Sequence, residues 1–138
     1  GTPPWSKLQT CRELHPDWEI TLWTAEKIKN IRYDSKYQDR GSFISKLAAH
    51  DLFERGSILK NVDLLKVELL YRFGGFAMDA DQICIRRLDP LLAIGLNSDY
   101  AAGHEHNHAH SNKKSLIANG VQISHQYSPT VFQLLLKT

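Results

Sequence analysis

Cysteine is scarce in this chain: Cys11 and Cys84 are the only two among 138 residues, far apart and never in a CxxC pair. That spacing suggests neither a zinc site nor a disulfide framework, and two buried free thiols are expected. Long apolar runs are also missing. None approaches the roughly 18 to 20 residues that cross a bilayer, and no signal-peptide pattern opens the chain, so any membrane attachment is expected outside this sequence. Charge of one sign is not in excess either: 17 Lys and Arg face 15 Asp and Glu, a formal net of +2, and the basic residues are scattered. Without a basic block, nucleic acid is not an implied partner. There is no internal repeat and no low-complexity linker, although HEHNHAH from His104 to His110 is locally biased.

What is present is an ordinary globular composition. Hydrophobic residues make up 42% and charged residues 23%, which excludes disordered and fibrous classes. A chain of this length suits one compact domain that buries about two-thirds of its unfolded surface. Gly1 to Trp5 (GTPPW) reads as a loop, and the first residue is glycine rather than methionine, so the sequence is expected to begin inside a longer protein.

Glu19 to Trp23 (EITLW) alternates and reads as a strand, followed by a helix from Ala25 to Ile31 with Thr24 as its cap. Tyr33 to Gly41 is turn-like, and Ser42 to Arg55 carries apolar residues at helical spacing before Gly56. From Asn61, the run NVDLLKVELLYRF places Val62, Leu65, Leu69 and Phe73 on one helix stripe, ended by Gly74 as a C-terminal cap. Gly75 to Met78 reads as a short strand leading to Asp79-Ala80-Asp81, and Gln82 to Arg86 as a second. Asp89-Pro90 reads as a turn before a short apolar piece. Asp99 to Ala102 reads as a strand, His104 to Lys114 as a polar loop, and Ser128 to Lys137 as a closing helix. Strands alternating with helices predict an α/β domain with a largely parallel sheet.

Asp79 and Asp81 lie two apart, so on an extended backbone both side chains leave the same side. Such a pair can share one hard divalent cation, Mn²⁺ or Mg²⁺, which keeps open positions for water and substrate phosphates. The bland alternative is a turn-capping aspartate beside a solvated one. Asp63 and Lys66 are one helical turn apart on one face; there Asp63 can accept hydrogen bonds from hydroxyls and Lys66 can meet a phosphate or sugar oxygen. Their bland alternative is a carboxylate near a helix N-terminus and an exposed lysine.

From Val62 to Leu92 the chain reads VDLLKVELLYRFGGFAMDADQICIRRLDPLL. This resembles the DXD sugar-binding region of glycosyltransferase family 32, with its S-D-x-x-R-x-x-x-L-y-x-x-G-G-x-y-x-D-x-D pattern, a strand, and a P-L-D-P-L-L-like turn. Asp63, Leu70, Gly74, Gly75, Asp79, Asp81, Asp89 and Pro90 fall in place. HPDWEITLWT, from His15 to Thr24, is similar to the family's upstream N-P-D-y-e-y-x-l-W segment. The family includes yeast α-mannosyltransferases and animal α-1,4-galactosyltransferases. The resemblance implies a GT-A fold and one partial glycosyltransferase catalytic domain over residues 1–138. It further implies a nucleotide-sugar donor (a UDP- or GDP-sugar), a glycan or lipid acceptor, and retention of configuration. By the same likeness Asp79 and Asp81 are the catalytic pair, Asp81 ligates the metal, and Asp79 touches sugar, ribose or metal. Asp63, Lys66 and Gly75 bind the donor. Asn119, in a stretch ANGVQIS similar to the family's N-a-i-i-g-A strand, faces the donor sugar.

Three departures stand out. Lys66 replaces the family's usual arginine, and a point-charge ammonium does not reproduce a planar fork. Val62, Ala77 and Met78 replace a small polar residue and more typical tyrosine and aliphatic positions. The family's first strand would precede Gly1 and its C-terminal metal-site segment would follow Thr138.

The histidines at 104, 106, 108 and 110 would align on one face of a strand and suit zinc or nickel, but Asn107, Ser111, Asn112, Lys113 and Lys114 make a solvated loop the expectation. Trp18, Trp23, Phe73 and Phe76 are expected in the core rather than as a stacking platform, and His50 as an ordinary helix residue. Two other functions also fit a DxD: a transferase-like domain that binds nucleotide sugar or metal without turnover, and a haloacid-dehalogenase-type phosphatase. The expected compartment is the cytoplasm for a bacterial protein and the Golgi lumen for a eukaryotic one.

Overall fold

The computed structural model describes residues 5–30, 58–104 and 117–137. Its elements, in order, are α1 (Trp5–Leu14), α2 (Ala25–Asn30), α3 (Ile58–Phe73), β1 (Gly75–Met78), α4 (Asp89–Asn97), β2 (Tyr100–His104), β3 (Ile117–Ser124) and α5 (Pro129–Leu136). The helix expected over Ser42 to Arg55, the turn over Tyr33 to Gly41, His50 and nearly all of the histidine tract lie outside the described residues.

The local rules hold where a residue acts on its own neighbours. Thr24 caps α2, its hydroxyl accepting from Lys27 N over 3.2 Å. Gly74 ends α3 at φ +66°, its N–H bonded to the Leu70 carbonyl over 2.8 Å. A Cβ at position 74 would also lie 2.6 Å from Gln126 N, so only glycine fits there. Ser128 caps α5 by accepting from Val131 N over 3.2 Å.

The sheet corrects the expectation of a largely parallel arrangement. Among the described residues, three strands form one sheet in the order β1-β3-β2, with both pairings antiparallel. The unit β1–α4–β2 does give two strands running the same way, as strand–helix–strand alternation predicts. β3 inserts between them and pairs with both, which the order of elements along the chain does not reveal. Two expected strands do not form among the described residues: Glu19 to Trp23 and Gln82 to Arg86 have no ladder there. In the second, alternation is real but inverted. Cys84 is buried, Ile83 and Ile85 are exposed, and the Cys84 N–H donates to Thr10 Oγ1 over 2.9 Å instead of to a strand.

Two helices were not anticipated. α1 begins where a loop was expected, and Cys11 is its buried residue. α4 replaces the turn and apolar piece after Asp89; Pro90 sits in its first turn, where a missing N–H costs nothing, and Asp89 is the acidic residue of that turn. α4 lies close on β3 through Gly95, where a Cβ would collide with the Ile123 side chain.

The core lies on one side of α3. Ile28, Leu65 and Leu69 are buried together with Trp23 and Phe73 against them, the two rings stacked at 5.6 Å. Leu70, Val131 and Leu135 are also buried, and α5 packs on α3. Trp18 and Phe76 are half-buried and touch each other at 5.6 Å.

Cys11 and Cys84 form a disulfide, which corrects the expectation of two free thiols. Spacing in sequence carries no information about a bridge across 73 residues. It ties α1 to the segment directly after the Asp79–Asp81 turn.

Candidate donor-binding site

β1 delivers the chain to Asp79, whose N–H donates to the Gly120 carbonyl over 3.0 Å, one step beyond the Met78↔Val121 register pair. There the backbone leaves extension. Gln82 N–H donates to the Asp79 carbonyl over 3.1 Å, closing a turn over residues 79–82. The expectation that both carboxylates leave one side of an extended strand is therefore corrected: both belong to a single turn beyond the strand end.

Lys66 is not the exposed lysine of the bland alternative. Its side chain is 10% exposed, and Nζ donates to Asp79 Oδ1 over 2.6 Å, with Asp63 Oδ1 at 3.5 Å. A buried ammonium requires such partners. Helix spacing places Asp63 and Lys66 on one face, as expected, but the contact from α3 to the DxD turn is a product of packing. The Asp81 carboxylate is exposed and takes no hydrogen bond among the described residues. Gly75 adopts φ +83°, and a Cβ there would meet nothing within 4 Å, so the backbone at position 75 selects glycine. Asn119 falls in β3, next to Gly120; its side chain lies outside the described residues.

The donor set fits a hard divalent cation. Asp63 and Asp79 both flank Lys66, and Asp81 follows two residues after Asp79 in the same turn. No group of three or more His, Cys, Asp or Glu forms a cage among the described residues. Mg²⁺-like ions typically take one or two carboxylates and complete their shell with water and substrate phosphate. Asp81 and Asp79 are the residues that would hold such an ion.

Behind the turn, two segments that the sequence keeps far apart are clamped together. The Arg87 guanidinium uses all five donors: Nη1 and Nη2 pair with Asp17 at 2.9 and 3.0 Å, Nε and Nη2 with Asp89 at 2.7 and 3.2 Å, and Nη1 also reaches the Leu14 carbonyl at 2.9 Å. Arg87 holds both carboxyls below the usual carboxylate range, chiefly by hydrogen bonding. The buried His15 ring accepts from Leu88 N–H at Nε2 over 2.8 Å, so Nδ1 carries the proton donated to the Cys11 carbonyl at 2.8 Å. The HPDW and RRLDP stretches thus form one polar junction that, with the disulfide, fixes the exit from the DxD turn.

Sequence reasoning missed Cys11, Cys84, Arg87, Gln82 and Gly120. A glycine inside a strand pattern is a recognised sign of close approach by another group, and Gly120 carried that sign.

Comparison with known proteins identifies the family. A family profile described as "Glycosyltransferase sugar-binding region containing DXD motif" matches residues 5–96. Inositol phosphoceramide mannosyltransferase 3 of Schizosaccharomyces pombe is 33% identical over 85 residues, covering 61% of this chain and 21% of that protein. Mannosyl phosphorylinositol ceramide synthase SUR1 of Saccharomyces cerevisiae is 34% identical over 87 residues, covering 62% of this chain and 20% of that protein. Inositol phosphoceramide mannosyltransferase 1 of Schizosaccharomyces pombe is 29% identical over 146 residues, covering 93% of this chain and 42% of that protein. The chain thus spans about a fifth of the length of the first two and less than half of the third. No solved structure matches it. The matched residues take in α1, the Lys66–Asp79 pair, the DxD turn and the Arg87 clamp, and the chain belongs to the glycosyltransferase family defined by this DXD-containing sugar-binding region.

Proposed function

We propose that this chain is the donor-binding part of a metal-dependent hexosyltransferase of GT-A fold, moving a sugar from a nucleotide-sugar to a glycan or lipid acceptor with retention. The observation that carries this reading is the Lys66–Asp79 pair beside an exposed Asp81 in one turn, inside the residues that match the family. The mannosyltransferase names of the relatives favour GDP-mannose as donor and inositol phosphoceramide as acceptor. The same match favours a transferase over a dehalogenase-type phosphatase.

When bound, the divalent cation supplies Lewis-acid neutralisation of the charge that builds on the departing nucleoside diphosphate. The chain's own residues supply position. Lys66 pins Asp79 Oδ1 and so fixes which way Oδ2 points. Asp63, half-exposed on α3, accepts from hydroxyls of the donor sugar or ribose, and Asn119 on β3 is the second sugar contact. Asp81 stands in solvent with both oxygens available to the ion. The Cys11–Cys84 bridge favours the oxidising compartment, the Golgi lumen, over the cytoplasm.

The test is a donor screen of the full-length protein with manganese: UDP-glucose, UDP-galactose, UDP-N-acetylglucosamine and GDP-mannose, each with inositol phosphoceramide. Mannosyl transfer from GDP-mannose, lost on chelation, is the expected result. Donor binding without transfer or hydrolysis would identify a non-catalytic domain, and no donor binding would remove the reading.

A further inference from the structure

Glycine is an unfavourable strand residue, because it weakens the ladder and offers no side chain to pack. At two other positions its presence has a plain cause: a Cβ at Gly74 or Gly95 would collide with Gln126 or Ile123. Gly120, in the central strand β3, has neither cause. It is not among the positive-φ glycines, and among the described residues a Cβ built there would make only ordinary contacts, 3.4 Å from Gln82 Nε2 and 3.5 Å from Asp79 Oδ2. Backbone and packing both tolerate a larger residue.

What the missing side chain changes is access to one atom. Residue 120 stands opposite Asp79 across the β1–β3 ladder, so its Cβ direction shares a face with the carboxylate. The two carboxylate oxygens have different surroundings: Oδ1 is held by Lys66, and Oδ2 faces the gap at Gly120 with no donor among the described residues. The half-buried Gln82 carboxamide borders the same gap.

We propose that Gly120 is an affinity-determining position of the donor site: the side chain it lacks leaves open the space between Asp79 Oδ2 and Gln82 Nε2. The diphosphate end of the nucleotide sugar, with the divalent cation that would neutralise it, enters that space, and the Gln82 carboxamide donates to one of its oxygens. This rests on the donor-binding reading above. Position 120 therefore controls binding without controlling folding.

The experiment measures binding of GDP-mannose and UDP-glucose, each with manganese, to the full-length protein by calorimetry, alongside thermal melts. Variants are Gly120→Ala, Gly120→Val and Gln82→Ala, with Gly103→Ala as a control because a Cβ at that strand glycine meets nothing within 4 Å. Gly120→Ala is expected to melt at or above the wild-type temperature and to lose about tenfold in affinity for the bound donor, Gly120→Val to lose more, and Gln82→Ala to lose roughly three- to tenfold. Gly103→Ala is expected to bind like wild type. If Gly120→Val does not fold, Gly120→Ala decides alone. Wild-type affinity in a folded Gly120→Ala overturns the proposal while leaving the donor-binding reading intact, whereas a wild-type protein that binds neither nucleotide sugar overturns both.

Discussion

Lys66 Nζ sits 2.6 Å from Asp79 Oδ1, joining the middle of α3 to the first carboxylate of the DxD turn. The two ends of this pair are unequal: the Lys66 side chain is 10% exposed and that of Asp79 38%. Losing the carboxylate is therefore worse than losing the ammonium. Asp79→Asn takes the nearest carboxylate from a buried ammonium, and about 1 to 2 kcal/mol of stability is expected to go, less than for a fully buried pair because Asp79 is partly solvated. Lys66→Met keeps the volume without the charge, so its melting temperature is expected to stay near or above wild type while donor affinity falls. Paired urea melts and donor titrations check both; Lys66→Met with undiminished affinity would make the pair purely structural.

Asp81 offers the opposite profile. Its exposed carboxylate has no hydrogen bond to lose among the described residues, so Asp81→Asn is expected to change stability by less than about 0.5 kcal/mol. In the full-length enzyme it is expected to lower turnover by roughly 10² to 10³ through loss of transition-state charge stabilisation. Added manganese should restore it only in part. Equal rates across a manganese titration would take Asp81 out of the mechanism.

The Cys11–Cys84 bridge closes a separation of 73 residues, for which a loss of about 2 to 4 kcal/mol is typical on removal. The double variant Cys11→Ser/Cys84→Ser is expected to melt lower by that amount, and wild type in dithiothreitol to follow it. Because Cys84 lies three residues after Asp81, donor affinity is expected to fall as well. Identical oxidised and reduced melts would rule out a stabilising bridge.

Arg87 predicts an acid response. It holds Asp17 and Asp89 below the ordinary aspartate value of 3.8, so the stabilisation it gives is present above that pH and disappears as pH falls through the depressed folded-state values. Arg87→Ala is expected to be less stable than wild type at pH 6, with the gap closing below about pH 4. Denaturant melts from pH 7 to pH 2.5 give the comparison; a gap independent of pH would mean that lost packing, not charge, is responsible.

Gly74 combines a left-handed backbone with the 2.6 Å approach of Gln126 N to any added Cβ. Gly74→Ala is expected to cost more than the roughly 1 kcal/mol of a left-handed alanine alone, because the turn at residues 125–127 must move. Gly75→Ala, with φ +83° but open space, isolates the backbone contribution. Equal losses in the two variants, measured by thermal melts, would dismiss the steric part.

Local structure here is decided by neighbouring residues among themselves. The apolar stripe of α3, the glycine that ends it, the threonine cap of α2, the short strand β1 and the acidic pair behind it all follow from spacings of a few residues, where helix period, left-handed glycine and strand extension act directly. The family likeness was legible for the same reason, since it rests on a continuous run. The partners of residues that lie far apart along the chain are legible in the folded molecule alone: Cys11 with Cys84, Arg87 with Asp17, β3 between β1 and β2, Lys66 on Asp79, and Gly120 opposite Asp79. Such pairings leave no periodic trace, because they are set by which surfaces bury best against each other. Alternation in EITLW and QICIR misled for that reason: a strand needs a ladder partner as well as a pattern, and among the described residues packing supplied none for those two segments.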